Sequence, residues 1–414
     1  MSEDRRRRLL ALNAAQRAQF ESAVRNQQPL SDRADAVAVD ASDTGSFVQG
    51  RGADERPPSF SLFFFSDEGG PAGPGQYDFL LEAARFADAH GFEAIWIPER
   101  HFHSFGQLYP SPAVLAAAIA VATRRIDVRA GSVVLPLHQP IRVAEEWSVV
   151  DNLSGGRVGV SFASGWVPED FVLARTTFAR RRETTLADLE VVRRLWRGEA
   201  IEVALPGGGS TSVQVFPRPL QPELPVWLTT SGSRRTWLEA GRLGTHVLTG
   251  LLQGNLDELA AHAFAYREAR RAAGHDPSEG QITLMLHTFI GLDAATVRDC
   301  VRAPLVRYLR AHLGLYETQR LAANELGIDG SRLSEDDKTA IAEFAFDRYF
   351  EHNGLFGTPE SAVEMVQRIR ASGVNEIGCL VDFGVDRDTL SAHLCYLAEL
   401  RDRVHRKLAV AGHG

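Results

Sequence analysis

EAIWIPERHFHSFG, residues 93–106, joins an apolar run to a dense polar cluster. Ala94, Ile95, Trp96 and Ile97 end at Pro98, and Glu99, Arg100, His101 and His103 follow, with Phe102 and Phe105 between them. A short apolar run closed by a breaker predicts a buried strand. Ionisable groups just past such a strand sit where parallel α/β folds carry their chemistry. A histidine beside a carboxylate, a guanidinium and aromatic rings is suited to moving protons in a partly dry site. Surface ion pairs are the bland alternative. The aromatic company of Trp96, Phe102 and Phe105 favours the functional reading.

Outward from this stretch the chain alternates strand and helix. Strands are expected at 60–65, 93–97, 126–134, 157–163, 226–230, 245–249, 281–291 and 376–384. Helices are expected at 76–90, 112–124, 141–152 and 178–197, with another between the strands at 226–230 and 245–249. Eight strands separated by helices indicate a parallel sheet, and eight is the number that closes a (β/α)8 barrel. A doubly wound open sheet is the alternative. Residues 199–217, around Gly207–Gly208–Gly209, interrupt the rhythm as an inserted hairpin. Residues 294–350 form a mostly helical insertion, larger than one crossover, that is placed to cover the barrel mouth. Residues 1–57 precede this body as a helical arm and linker ending in Pro57–Pro58, and residues 58–414 are the barrel. The arm reads either as a docking element or as a loosely attached or dimer-forming terminus.

Bulk properties narrow the function. Of 414 residues, 44% are hydrophobic and 24% charged, an ordinary globular balance. A net charge of −8 argues against a general nucleic-acid surface. No apolar run reaches membrane-spanning length, and the arginine-rich start lacks the apolar core of a secretion signal, so the expected location is the cytoplasm. Three scattered cysteines, Cys300, Cys379 and Cys395, suit neither a disulfide framework nor a zinc site. Cys379 and Cys395 read as packing residues, and no metal site is expected. Residues 229–233, Thr-Thr-Ser-Gly-Ser, lie between a strand and a helix. Small hydroxyl residues at a helix start expose backbone N–H groups to an anion, and Arg234 and Arg235 add positive charge. Ser-rich caps without ligands are common, so this signal is weak alone. His138, beside Pro140, reads as a helix-entry residue.

The stretch Glu99-Arg100-His101-Phe102, with Tyr109-Pro110-Ser111-Pro112, residues 131–166 and residues 356–384, resembles flavin-dependent luciferase-like monooxygenases. The likeness spans roughly residues 58–408 and is greatest to a branch associated with polyketide and nonribosomal-peptide assembly lines. The resemblance implies a TIM barrel and a reaction of reduced FMN with O2, the FMNH2 coming from a separate flavin reductase. It further implies a homodimer, a natural-product intermediate as substrate, and a free or acyl/peptidyl carrier-bound form of it. Thr230, Ser231, Gly232 and Ser233 match the family's phosphate segment. Ser132 and Val133, after Gly131, match a backbone segment under the flavin ring, often with a non-proline cis peptide. Ala163, Ser164, Gly165 and Trp166 match a third cofactor-facing turn, where luciferases often carry Cys and Arg. His101 is expected to transfer a proton, with Glu99 either orienting it or acting with Arg100. Arg100 replaces a second histidine; arginine stays protonated, so it is expected to bind an anion or a carbonyl. Two other readings are a deazaflavin-dependent oxidoreductase of the same fold and a non-catalytic assembly-line or flavin-binding protein.

Overall fold

The computed structural model describes residues 56–65, 74–103, 106–251, 255–323, 342–343, 346–347 and 349–411. Residues 1–55 of the expected arm, and Phe105, lie outside them.

Eight parallel strands close on themselves. They are β1 (Ser59–Phe63), β2 (Ala94–Ile97), β3 (Asp127–Val134), β4 (Val158–Ala163), β7 (Val226–Thr230), β8 (His246–Gly250), β9 (Ile282–Ile290) and β11 (Glu376–Leu380). Neighbours pair in that order around the barrel, and β9 joins β8 to β11 to complete the ring. Closure, rather than an open doubly wound sheet, leaves none of these strands with a bare edge. The hairpin expected at 199–217 is β5 (Ile201–Ala204) paired antiparallel with β6 (Ser210–Val213). A three-residue strand, β10 (Leu355–Gly357), pairs with the upper part of β9. It has no counterpart in the sequence reading, because Leu-Phe-Gly is too short to show a period.

Helices pack outside. α1 (Asp78–Ala89) buries Phe79, Leu80, Ala83, Ala84 and Ala87, a spacing that puts one face on the sheet. α2 (Pro112–Ala122) and α3 (Pro140–Ser154) each begin with proline, whose missing N–H costs nothing at a first turn. α4 (Arg181–Trp196), α5 (Arg234–Arg242) and α6 (Leu256–Ala272) follow. α7 (Ala294–Ala323) opens the long insertion, and α8 (Ala362–Ala371) and α9 (Arg387–Ala411) complete the ring. α7 sends Tyr308 inward against Phe65 at 6.4 Å, so the insertion does reach the mouth.

The barrel is filled, not hollow. Phe63 stacks on Trp96 at 6.0 Å, and Trp96 meets Trp227 edge-on at 5.1 Å. A Cβ on Gly131 would come within 2.6 Å of the Phe63 ring, so this strand position accepts glycine alone. Near the strand starts lies a buried polar cluster. Glu376 accepts from Trp96 Nε1 at 2.9 Å, Arg129 at 2.8 Å, Gln281 at 2.9 Å, the Thr283 hydroxyl at 2.8 Å, and the Ser61 hydroxyl. Arg129 lies over the rings of Trp96 and Trp227 and also binds Asp127. Cys379 is buried as expected. Cys395 is exposed on α9, so the packing reading fails for it: its position falls on the outer face of that helix.

Candidate active site

The polar cluster after β2 lies at the C-terminal mouth, opposite the Glu376 cluster. The β2 backbone enters the core, and the chain must turn at Pro98. That turn draws Glu99 and Arg100 inside, each 6% exposed. Glu99 reaches across to the next strand. Its Oε2 accepts from Val134 N–H at 2.7 Å. Its Oε1 meets two imidazoles, His101 Nε2 at 2.7 Å and His138 Nε2 at 2.6 Å. Burial alone would push the Glu99 carboxyl up. The hydrogen bonds from His101, His138 and Val134 outweigh it and hold the group below the usual carboxylate range. Burial likewise disfavours the His138 cation, but Glu99 outweighs it and raises His138 above the ordinary histidine value.

An ionised carboxylate only accepts, so both rings present Nε2–H to it. This leaves Nδ1 of His101 as the ring atom that can take and return a proton, and Nδ1 makes no hydrogen bond among the described residues. This contact is the one that an orienting role of Glu99 toward His101 would need. The second imidazole is the surprise. His138 does precede α3, as its sequence position implies, yet its ring is turned onto Glu99.

Arg100 lies over Phe65 at 4.9 Å and over Trp166 at 5.1 Å. Burial lowers its value, with Tyr308 and Asp170 opposing, and a guanidinium remains charged under such conditions. Phe102 is 64% exposed and holds φ at 59°, a left-handed backbone that side-chain-bearing residues seldom adopt. Asp170, on the short helix Pro168–Leu173, is a further member that sequence reasoning missed. It is 8% exposed, and among the described residues its Oδ1 has no hydrogen-bond partner. Burial raises its carboxyl above the usual range, against the pull of His101, Arg100 and His103. Nε2 of His103 is likewise buried without a partner.

The flavin-facing candidates line the next three strands. The Gly131–Ser132 peptide is cis, as the resemblance implies. Ser132, with Val133 beside it, is buried, and its hydroxyl meets that of Thr229. Thr229 Oγ1 also lies 2.6 Å from Ser161 Oγ, so three hydroxyls bridge β3, β4 and β7. The sequence reading has Thr229 only as the first residue of the anion-binding stretch 229–233; the inward alternation Trp227, Thr229 was the available signal for this bridge. Ala163, Ser164, Gly165 and Trp166 leave β4 half-buried at the mouth. Gly165 has φ +83°, and a Cβ there would meet Val134 at 2.9 Å.

At the end of β7, Thr230 Oγ1 accepts from the N–H groups of Gly232 at 3.3 Å and Ser233 at 3.1 Å. These two N–H groups are therefore engaged locally, not offered to an anion as the sequence suggests. What remains open is the first turn of α5. Ser233 makes no side-chain cap, its Oγ is buried without a partner, and Arg234 and Arg235 are exposed beside it. An orphaned hydroxyl, a helix N-terminus, two cations and the glycine-lined floor at Gly131 fit a flavin with its phosphate at α5. Among the described residues no His, Cys, Asp or Glu cluster could hold a metal ion, and no helix is long and apolar enough to cross a membrane.

Comparison with known proteins identifies the family and the fold. A stretch of 119 residues is 35% identical to 4-hydroxyprotoasukamycin monooxygenase of Streptomyces nodosus subsp. asukaensis, covering 29% of this chain and 32% of that protein. Over 305 residues the chain is 23% identical to the alkanal monooxygenase alpha chain of Photorhabdus luminescens, covering 72% of this chain and 83% of that one. The oxygenating constituent of 3,6-diketocamphane monooxygenase from Pseudomonas putida, solved with FMN, superposes with a TM-score of 0.65. It is 17% identical over 85% of this chain and 99% of that one, which shows the shared fold. Residues 59–376 match the family model described as luciferase-like monooxygenase, and the chain belongs to that family.

Proposed function

We propose that the protein is an FMN-dependent monooxygenase that oxidises an intermediate of natural-product biosynthesis. The observation that carries this reading is the His101–Glu99 pair at the barrel mouth, beside a floor and a helix N-terminus suited to a flavin. Bound reduced FMN would supply the activation of dioxygen. The chain's own residues do the rest. Ser132, Val133, Ala163, Ser164, Gly165 and Trp166 hold the ring, and Thr230, Ser231, Gly232 and Ser233 position the phosphate end. Phe65, Trp166 and Tyr308 exclude water around Arg100, which protects a reactive site from hydrolytic loss. Arg100 offers fixed positive charge to developing negative charge or to a substrate carbonyl. His101 moves the proton at Nδ1. Asp170 Oδ1 and His103 Nε2 are open to polar groups of the substrate.

A separate flavin reductase supplies the reduced cofactor in this proposal, and the substrate is free or carried on an acyl or peptidyl carrier protein. A homodimer is supported by apolar side chains left outside on the helices that flank the early strands. Val114 and Val121 of α2 are each 68% exposed, Val149 of α3 is 44% exposed, and Leu153 is 47% exposed. Light scattering should find a dimer that survives removal of residues 1–50; a monomer would move pairing to the arm.

The cofactor assignment is tested by anaerobic titration. Reduced FMN should bind saturably, oxidised FMN more weakly. Ser231→Asp with Ser233→Asp should abolish binding, because two carboxylates would face a phosphate dianion. Aspartate is itself a good helix cap, so the fold should survive. Unchanged affinity in the double variant, or tight binding of a reduced deazaflavin in place of FMN, overturns the assignment.

A further inference from the structure

We propose that His138 is a positioning residue: it keeps the buried Glu99 carboxylate ionised and, through Glu99, fixes His101 in the tautomer that leaves Nδ1 open. The argument starts from one oxygen atom. Glu99 Oε1 is shared by two imidazoles, at 2.7 and 2.6 Å, while Oε2 has the Val134 N–H. The Glu99 side chain is 0% exposed, so no water shell supports its charge. Three donors do that work instead, one of them the His138 ring, whose cation Glu99 favours, as a buried carboxylate requires.

Removal of the His138 ring would take away one donor and the only partner among the described residues positioned to bring a full positive charge to Oε1 without consuming His101. The neutral carboxyl would then become the cheaper form as pH falls. A neutral carboxyl carries an O–H, and the acceptor within reach is His101 Nε2. The carboxyl would donate to it, and the ring hydrogen of neutral His101 would move to Nδ1. An imidazole with its hydrogen on Nδ1 cannot take a proton there. His138 therefore acts on catalysis without touching substrate or flavin.

The charged groups around this trio come from every element packed on it. Glu146 of α3 adds negative charge near His138. Arg175 donates to the His138 carbonyl at 3.2 Å and is itself paired with Asp188. Asp170 faces His101, Glu99, Arg100 and His103. None of these donates a hydrogen bond to Glu99, so none replaces His138. The directions already noted agree with the geometry: Glu99 is held low and His138 is held high, each against its own burial.

The consequence for turnover rests on the function proposed above, but the test is read on the full chain without flavin. Glutamate 13C-carboxyl and histidine 15N-imidazole signals are followed against pH in the wild type, His138→Phe and His138→Gln. In His138→Phe the Glu99 midpoint should move up, and below it His101 should change from the Nε2–H to the Nδ1–H pattern. His138→Gln keeps a donor without the charge and should fall between. An unmoved Glu99 midpoint with an unchanged His101 pattern in His138→Phe overturns the proposal. Should that variant not fold, the wild type decides alone: His138 must titrate above an ordinary histidine, and a value at or below it overturns the proposal. In turnover, the acidic limb of the pH profile should move to higher pH in His138→Phe. Failure to bind FMN would sink the proposed function and leave these titrations untouched.

Discussion

Two of the buried carboxylates, Glu376 and Glu99, lie at opposite ends of the barrel and are treated in opposite ways. Glu376, near the strand starts, collects donors from Ser61, Trp96, Arg129, Gln281 and Thr283. Glu99, at the strand ends, is held by two imidazoles and one backbone N–H. The lower cluster is built of groups that stay in one protonation state: a guanidinium, an indole, an amide and hydroxyls. The upper one is built chiefly of imidazoles, the side chains best suited to giving and taking a proton. Beside the upper cluster two buried polar atoms, Asp170 Oδ1 and His103 Nε2, have no hydrogen-bond partner among the described residues. A satisfied network makes a core rigid, whereas unsatisfied buried atoms wait for a ligand. On the function proposed above, the lower carboxylate serves the fold and the upper one the chemistry, which is the usual division between the two faces of such barrels.

The comparison breaks first, and by the largest margin, at His101. His101→Gln keeps bulk and hydrogen bonding but cannot titrate. Product formation should fall by roughly 10²–10⁴ while reduced FMN binding and folding persist. Hydrogen peroxide, measured alongside product, should rise as oxygen use uncouples. Native turnover with native coupling would make His101 a wall residue.

The converse experiment is Glu376→Leu. It strands Arg129 in the core with a partner removed, and breaking a buried pair costs about 3–5 kcal/mol. Urea unfolding should show that loss. A variant that unfolds like the wild type would mean that Asp127 and Glu93 alone hold Arg129.

A smaller effect should separate the ends by pH. His246 lies at the lower end, its ring 4.7 Å from that of Trp227. Burial, then Arg129, Arg270 and Arg193, push it down to about 3. An unfolded chain protonates this group near about 6.5, so below that pH the unfolded state binds a proton that the folded state refuses. Stability must fall as pH falls through that window. His246→Gln should flatten the decline, read as urea midpoints at several pH values from about 7.5 to about 4.5. An identical slope in the variant would acquit His246.

The smallest effect is expected at Phe102. If its left-handed backbone is strained, Phe102→Gly should stabilise the fold by about 1 kcal/mol and change turnover separately. No gain in stability would show that glycine's freedom in the unfolded chain offsets the relief.

Much of this was legible in the linear chain. Apolar runs bounded by breakers marked the eight barrel strands, because a parallel strand buried on both faces must be apolar along its length. The juxtaposition of Ile97, Pro98 and Glu99 marked the end of a strand and the start of the site, since a proline stop turns whatever follows into the mouth. Glu99 and His101 were visible because they are two residues apart. The contacts of His138 and Thr229 were not, because each is made with another strand end: His138 lies 39 positions from Glu99, and Thr229 lies 97 from Ser132. Likewise, nothing in the run Thr229–Ser233 told that Thr230 would consume two N–H groups of its own turn. Local pattern determined which segments are strands and which polar residues lie at their ends, because burial period and chain breakers act over a few residues. Which of those polar groups share a proton was decided only when closure of the barrel set four strand ends side by side, since hydrogen bonds depend on distance in space and not along the chain.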